Sequence, residues 1–299
     1  MSEYNVAIFG LGAMGYGMAG ALRRAGLNTY GFDLNVDAMA RFREEGGAKG
    51  EFANVASTLD AAVIVVVNAA QTEAVLFGAE GIAPKLSKGA VVIACATVAP
   101  DFARIMAARC ADIGLLYLDA PVSGGTIKAG EGTLSILAAG LPEAFEKARP
   151  ALDAMAAKVF ELGDAAGAGS SMKAVNQMLT GVHIAAMAEA MTFGMTQGVE
   201  PAQFLEVISQ CAGTSWALEN RAPSIVEGDY RPLSAVDIWP KDLGIVLDIA
   251  KGAKFGAPIT AAALQQYLAA SGSGLGGEHD SAVAKVYARN AGLTLPGQE

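Results

Sequence analysis

Short apolar runs alternate with amphipathic helical stretches over the first half of the chain, from the N-terminus to about residue 163. The apolar runs have the length of strands, and the stretches between them have the period of helices with one buried face. This alternation is typical of an α/β domain built on a doubly wound parallel sheet. The predicted strands lie at residues 4 to 9, 28 to 33, 62 to 67, 90 to 94, 115 to 119, 134 to 139 and 158 to 162.

The alternation stops after Gly163, and the glycine- and alanine-rich residues 163 to 169 indicate a linker. A long helix follows from Ser170 to Gln197, and its apolar residues on all sides predict burial between domains or in a subunit interface. We therefore predict a sheet domain at residues 1–163 and an all-helical domain at residues 164–299, joined by this helix, with the ligand cleft where they meet. The other predicted helices span 201 to 211, 215 to 226, 240 to 254, 258 to 270 and 279 to 290.

A glycine-rich turn directly follows the first predicted strand. Gly10 permits a tight turn, Gly12 lets a pyrophosphate approach the backbone, and Gly15 lets the next helix pack closely on the strand. That helix begins with unpaired N–H groups that attract an anion. Asp33, at the end of the second strand, can accept hydrogen bonds from ribose hydroxyls and would repel a 2′-phosphate, which favours NAD over NADP. The alternative is a turn without a ligand. The predicted contacts in this turn are Gly10, Leu11, Gly12, Ala13, Met14 and Gly15.

Composition narrows the class of protein further. The 299 residues are 53% apolar, which is ample for two cores, and the net charge is −9 without a lysine or arginine cluster. This charge argues against a nucleic-acid partner or an anionic membrane surface. No apolar run is long enough to span a membrane and no signal peptide is evident, so we expect a cytoplasmic protein. The cysteines form no disulfide or metal-ligand pattern, and we expect all three to be buried: Cys95, Cys110 and Cys211.

Lys173 is the strongest candidate for an acid or base. It lies in the first turn of the long apolar helix, and Asn176 and Gln177 follow at the spacing that shares one helical face. Burial lowers the pKa of a lysine toward neutrality, as a general base requires. A structural lysine with its ammonium at the surface is the alternative. The chain has only two histidines, His183 and His279, and neither adjoins a plausible catalytic segment.

Further polar candidates follow predicted strands. Ser123, Gly124 and Gly125 offer a hydroxyl and exposed N–H groups that suit a carboxylate, although an ordinary turn would look the same. Thr97 follows the fourth strand, where cofactors bind in open α/β sheets, or it is only a helix cap. Asn68 follows the third strand and joins the predicted cofactor contacts. Lys241 precedes Asp242 near a helix start and either reaches a ligand or is a solvated surface charge.

Taken together, these motifs resemble the β-hydroxyacid dehydrogenase family, which includes 3-hydroxyisobutyrate dehydrogenase and tartronate semialdehyde reductase. The resemblance implies a Rossmann domain that binds NAD, a helical domain that shares the long interdomain helix, and oxidation of a small hydroxy acid. Separately, the apolar long helix favours a homodimer or homotetramer, in which the helical domain serves both substrate binding and oligomerisation. It implies Lys173 as the acid/base, the Ser123 turn as the carboxylate contact, and Thr97 and Lys241 beside the cofactor. No metal is implied. The motifs lie at Gly10 to Gly15, Asp119 to Gly125, Gly167 to Asn176 and Lys241 to Leu243.

Two positions depart from the family pattern. Many members carry an asparagine four residues after the lysine, where this chain has Gln177, so the helper of Lys173 is either Asn176 or Gln177. Ser234 replaces a phenylalanine of the pocket, which suggests a substrate with an additional hydroxyl. Further segments resemble the L-threonate dehydrogenase branch, so we expect oxidation of L-threonate or a similar aldonate. The alternatives are 3-hydroxyisobutyrate oxidation, reduction of tartronate or succinic semialdehyde, and NAD sensing without catalysis. The segments that resemble the L-threonate dehydrogenase branch are residues 31 to 35, 215 to 221, 234 to 238 and 280 to 283.

Overall fold

The predicted alternation of strands and helices is present in the computed structural model, which describes residues 4–298. The strands of the N-terminal half are β1 (Asn5–Phe9), β2 (Asn28–Phe32), β3 (Ala61–Ile64), β4 (Val91–Ala94), β5 (Leu116–Asp119), β6 (Val122–Ser123), β7 (Leu134–Ala138) and β8 (Ala156–Glu161). The helices between them are α1 (Gly15–Arg24), α2 (Val36–Glu44), α3 (Phe52–Val55), α4 (Ala69–Phe77), α5 (Pro100–Asp112), α6 (Gly125–Glu131) and α7 (Pro142–Met155).

The first five strands form one parallel sheet in the order β2-β1-β3-β4-β5. Every residue of β3 and β4 is buried, because helices cover both faces of a doubly wound sheet. The order reverses beside β1, and ligands bind at such a switch point in open α/β sheets. This parallel sheet, together with the exclusively helical elements that follow Glu161 in the described part of the chain, confirms the predicted fold class.

The last strands of this half form a second, three-stranded sheet, β6-β7-β8. We predicted residues 134 to 139 and 158 to 162 as further strands of the parallel sheet, and that assignment was wrong. Pro121 has no N–H for the ladder, and the chain turns after it into β6, which pairs antiparallel with β7. An antiparallel bridge between Asp119 and Ala139 connects β5 to the residue after β7. Periodicity alone does not show which strands pair.

The long helix α8 spans Ala168–Thr196, and α9 (Pro201–Ile208), α10 (Trp216–Glu227), α11 (Ile238–Gly252), α12 (Pro258–Ala270) and α13 (Ala284–Asn290) follow it. The predicted helix over 279 to 290 is instead a short 3-10 helix, Asp280–Val283, followed by α13. The helical core includes Met187, Met191, Leu218, Trp239 and Tyr267.

The chain divides into two compact units, Met1–Lys173 and Ala174–Glu299, and the division lies inside α8. The domain boundary that we predicted between residues 163 and 164 stays a prediction. No helix within residues 4–298 is long and apolar enough to cross a membrane.

Candidate active site

The glycine turn after β1 has the geometry that the sequence predicted. Gly10 has a φ of 103°, and a Cβ there would overlap the carbonyl oxygen of Val65. A Cβ on Gly15, the first residue of α1, would overlap the carbonyl oxygen of Gly10. A Cβ on Gly12 would meet no atom within 4 Å. The turn is therefore tight on its protein side and open at Gly12, which fits a pyrophosphate that approaches the backbone.

Asp33 is bound to the same turn. One oxygen of its carboxylate accepts a hydrogen bond from the N–H of Leu11 at 2.5 Å, and the other accepts from Asn35 at 2.7 Å. A carboxylate has about four acceptor positions, so two remain for other donors. These two bonds hold the carboxylate in place beside the glycine turn, where the hydroxyls of an adenosine ribose could reach it.

The other predicted cofactor contacts follow neighbouring strands. Gly10, Asp33, Asn68 and Thr97 come after β1, β2, β3 and β4, whose carboxyl ends share one edge of the parallel sheet. The side chain of Asn68 caps α4, because its oxygen accepts from the N–H of Gln71 at 2.9 Å. Thr97 does not cap α5, since the cap residue there is Ala99, so that alternative was wrong. The structure therefore brings these four predicted residues to one edge of the sheet.

The proposed carboxylate turn begins in a strand. Ser123 ends β6 opposite Ser135 of β7, and α6 begins at Gly125. Gly124 and Gly125 have φ angles of 138° and 77°, which strongly favour glycine. The two glycines therefore reverse the chain sharply between a strand and a helix, as a turn with exposed N–H groups requires.

Asp119, the first residue of the motif that ends at Gly125, organises the start of α8. One oxygen of its buried carboxylate accepts from the N–H groups of Gly167 and Ser170, each at 2.8 Å. Its other oxygen accepts from the Ser170 hydroxyl at 2.6 Å. Burial raises the pKa of Asp119, while the hydrogen bonds from Ser170 and Gly167 oppose this effect. The predicted linker over residues 163 to 169 was therefore wrong for its last residues: Gly167 is hydrogen-bonded to Asp119 of β5, and α8 begins at Ala168.

Lys173 lies in α8, one turn after Ser170, and only 7% of it is exposed. This burial argues against a lysine whose ammonium lies at the surface. Asn176 and Gln177 occupy the next turn of the same helix, at the spacing that the sequence predicted.

Gln177 belongs to a chain of polar side chains in the C-terminal unit. Its amide nitrogen donates to a carboxylate oxygen of Asp242 at 2.5 Å, and its amide oxygen accepts from Asn176 at 3.0 Å. The other Asp242 oxygen lies 2.7 Å from the ammonium of Lys241. Asp242 is buried and connects α8 with α11, a role that was not predicted from the sequence. Its position next to Lys241 in the sequence was the signal that could have identified Asp242 as a functional residue.

Ser234 is half-buried in the segment before α11. Its carbonyl oxygen accepts a hydrogen bond from the Asp280 N–H at 2.7 Å, and the next residue forms a bridge with His279. The fully buried Asp280 carboxylate lies 2.8 Å from the Arg221 guanidinium and accepts from the Trp239 indole at 3.2 Å. Sequence reasoning missed this ion pair, because its partners are far apart in the chain.

Two family models match the chain. Residues 5–163 match the NAD binding domain of 6-phosphogluconate dehydrogenase. Residues 167–287 match the model described as NAD-binding of NADP-dependent 3-hydroxyisobutyrate dehydrogenase. Within residues 4–298, no group of three or more histidine, cysteine or acidic side chains could hold a metal ion.

Individual proteins match over nearly the whole chain. It is 50% identical to L-threonate dehydrogenase from Cupriavidus necator over 98% of both chains. It is 46% identical to L-threonate dehydrogenase from Escherichia coli K12, covering 99% of this chain and 98% of that protein. A crystal structure of 3-hydroxyisobutyrate dehydrogenase from Salmonella typhimurium has a TM-score of 0.89 and 44% identity, covering 95% of this chain and 100% of that chain. These matches confirm the predicted NAD-binding domain and the family resemblance.

Proposed function

The chain belongs to the β-hydroxyacid dehydrogenase family, and from that premise we propose that it oxidises the 2-hydroxyl of L-threonate, or of a similar aldonate, to the 2-oxo acid. The observation that carries this substrate is the 50% identity, over almost the full length, with a protein named L-threonate dehydrogenase. The half-buried Ser234 supports it, because a serine offers a hydrogen bond to a substrate hydroxyl where a phenylalanine would not.

Lys173 is the proposed acid/base. In the oxidation its amine takes the proton of the substrate hydroxyl, and in the reverse reaction its ammonium returns that proton. Ser123, Gly124 and Gly125 bind the substrate carboxylate through a hydroxyl and N–H groups, which fixes the reacting carbon beside Lys173. Bound NAD supplies the hydride acceptor for this reaction.

Gln177 and Lys241 are the proposed contributions of the C-terminal unit. Asp242 holds both through its two oxygens, so their side chains are oriented before a ligand arrives. Asn176 donates to Gln177 and therefore supports it. We assign the substrate contact to Gln177, and Lys241 supplies a positive charge beside the cofactor.

The proposed cofactor preference is NAD over NADP. Asp33 carries its charge where the adenosine ribose would lie, held by Leu11 and Asn35. A carboxylate at this position binds the ribose hydroxyls and repels a 2′-phosphate. The glycine turn, Asn68 and Thr97 complete the proposed contacts.

Replacement of Lys173 by alanine tests this assignment. The Lys173→Ala variant should bind NAD normally, while turnover of L-threonate falls by about 100-fold or more because the proton acceptor is lost. Lys158→Ala, which removes an exposed lysine from β8, is the matched control. Near-normal turnover of Lys173→Ala would refute the proposed role of the lysine.

A screen of C3 to C6 hydroxy acids for NADH formation, including both threonate enantiomers, tests the substrate. We expect the highest kcat/KM with L-threonate. Activity confined to 3-hydroxyisobutyrate would support the second candidate, which the name of the Salmonella typhimurium structure favours. Activity only as reduction of a short semialdehyde would support the third candidate.

A homodimer or homotetramer is the proposed assembly. The 29-residue helix α8 exposes several large apolar side chains on one face. These side chains are between 45% and 66% exposed and belong to Met172, Val175, Leu179 and Phe193. Exposed apolar side chains on one helix face favour an interaction site, and a second copy of the chain would cover them. Sedimentation should show an oligomer that Leu179→Glu dissociates; a monomeric wild-type protein would contradict the proposal.

The proposed location is the cytoplasm. Cys95, Cys110 and Cys211 are free, and Cys211 is exposed, which corrects our expectation that all three are buried. An exposed free thiol is typical of proteins in a reducing compartment. Fractionation of cells that express the protein tests this location.

A further inference from the structure

The start of α8 is built around one buried carboxylate, that of Asp119. We propose that Asp119 is a positioning residue, which holds the first turn of α8 against the end of β5 and so sets where Lys173 stands relative to the Ser123–Gly125 turn. The proposal rests on the proposed role of Lys173 as the acid/base.

Hydrogen bonds attach the Asp119 carboxylate to specific atoms in the first turn of α8. The N–H groups of Gly167 and Ser170 point to one oxygen at 2.8 Å, and the Ser170 hydroxyl points to the other at 2.6 Å. The first N–H groups of a helix have no partner inside it, so a carboxylate at this end satisfies them and interacts favourably with the helix dipole. Three bonds from two residues fix both the place and the rotation of the first turn.

The glycines at this helix start show that the close approach is required. A Cβ on Gly169 would overlap the carbonyl oxygens of Leu137 and Asp119. Gly167 has a φ of 99°, which strongly favours glycine, and this conformation presents its N–H to Asp119. The backbone of α8 therefore lies directly on β5 and β7, with no side chain between them.

Asp119 connects two parts of the proposed chemistry. Along the sequence, the backbone continues from Asp119 through Pro121 to Ser123 and the carboxylate turn. Its carboxylate holds Ser170, and Lys173 follows one helical turn later. Since a misplacement of about 1 Å can cost about 100-fold in rate, a fixed distance between these parts matters for turnover.

Kinetics of Asp119→Ala compared with Asp119→Asn test the proposal. Asp119→Ala should lower kcat for L-threonate by about 10- to 100-fold, because α8 loses its anchor. Its dissociation constant for NAD should stay near the wild-type value, because the glycine turn is untouched. Asp119→Asn should keep at least about a third of kcat, since an asparagine oxygen accepts the same N–H bonds and its nitrogen can pair with the Ser170 hydroxyl.

Two further variants separate positioning from stability. Ser170→Ala removes only the hydroxyl bond, so it should fold and show a smaller fall in kcat than Asp119→Ala. Asp60→Ala is the matched control, because Asp60 accepts from the Asn5 N–H at 2.9 Å and from Lys147 at 2.5 Å at the amino ends of the strands. It should lower the melting temperature and leave kcat unchanged.

The outcomes are distinct for the two hypotheses. Wild-type kcat in Asp119→Ala, together with an inactive Lys173→Ala, would overturn the positioning role alone. An Asp119→Asn variant as slow as Asp119→Ala would also overturn it, because the hydrogen bonds would then not be the cause. Near-normal turnover in Lys173→Ala would instead overturn the proposed acid/base.

Discussion

The buried ion pair between Arg221 and Asp280 offers a quantitative test of the C-terminal unit. The Asp280 side chain is fully buried, and the Arg221 side chain is 13% exposed, so solvent screens the pair little. Asp280 also accepts from the Trp239 indole, and its N–H holds the carbonyl oxygen of Ser234. We therefore expect Asp280→Ala to destabilise the unit and to disturb the segment that carries Ser234.

The size of the effect follows from what is left behind. Without Asp280, the Arg221 guanidinium is buried with no counter-charge, and removal of one partner from a buried pair costs about 3–5 kcal/mol. In Arg221→Met/Asp280→Ala the charge itself is gone, and the double variant should be about 2 kcal/mol more stable than Asp280→Ala. The exposed pair of Asp229 and Arg231 is the control, and Asp229→Ala should leave stability almost unchanged.

Urea unfolding followed by tryptophan fluorescence measures these differences. The chain has only two tryptophans, Trp216 and Trp239, and both lie in the C-terminal unit, so the signal reports on this unit. A loss below about 1 kcal/mol in Asp280→Ala would refute the reasoning, since that is the range of a surface pair. So would a double variant no more stable than Asp280→Ala.

Three further outcomes are expected. Asp33→Ala should lower the ratio of kcat/KM for NAD to that for NADP by about 10-fold or more, and an unchanged ratio would contradict the role of this carboxylate. Ser234→Phe should lower kcat/KM for L-threonate by about 10-fold or more and raise it for 3-hydroxyisobutyrate; equal losses for both substrates would contradict a role in specificity. Burial lowers the pKa of His279, so the folded protein holds it neutral, and its contribution to stability is lost as the pH falls below about 6.5. Thermal unfolding between pH 7.5 and 5.5 should show this loss, at most about 1.4 kcal/mol per pH unit, and His279→Gln should weaken the dependence.

The local pattern predicted the elements of the fold well. The strands found as β1, β2 and β4 lie within a residue or two of the predicted runs. β1 and β4 were easy to predict, because buried parallel strands are nearly uninterrupted apolar segments. The long helix was predicted from its apolar composition, and it starts only two residues earlier than expected, at Ala168. The glycine turn was predicted because each of its glycines has a steric reason that does not depend on the rest of the fold.

Pairing and long-range contacts were not predictable in the same way. The assignment of β7 and β8 to the second sheet depends on how the chain turns after Pro121. The sequence of a short apolar run predicts a strand but does not show with which other strand it pairs. The bond from Asp119 to Ser170 joins residues that are 51 positions apart. The motif that contains Asp119 marked it as part of a site, but only the fold shows that its carboxylate holds a helix rather than a ligand.

The choice between Asn176 and Gln177 shows why a motif position does not always define a role. Both lie in the helical turn that follows Lys173, and helical periodicity cannot rank them. The structure distinguishes them by their partners, since Gln177 donates to the buried Asp242 whereas Asn176 donates to Gln177. The extra methylene of glutamine relative to asparagine gives the reach to Asp242 across to α11. The residue four positions after Lys173 is therefore the one that is linked, through Asp242, to Lys241.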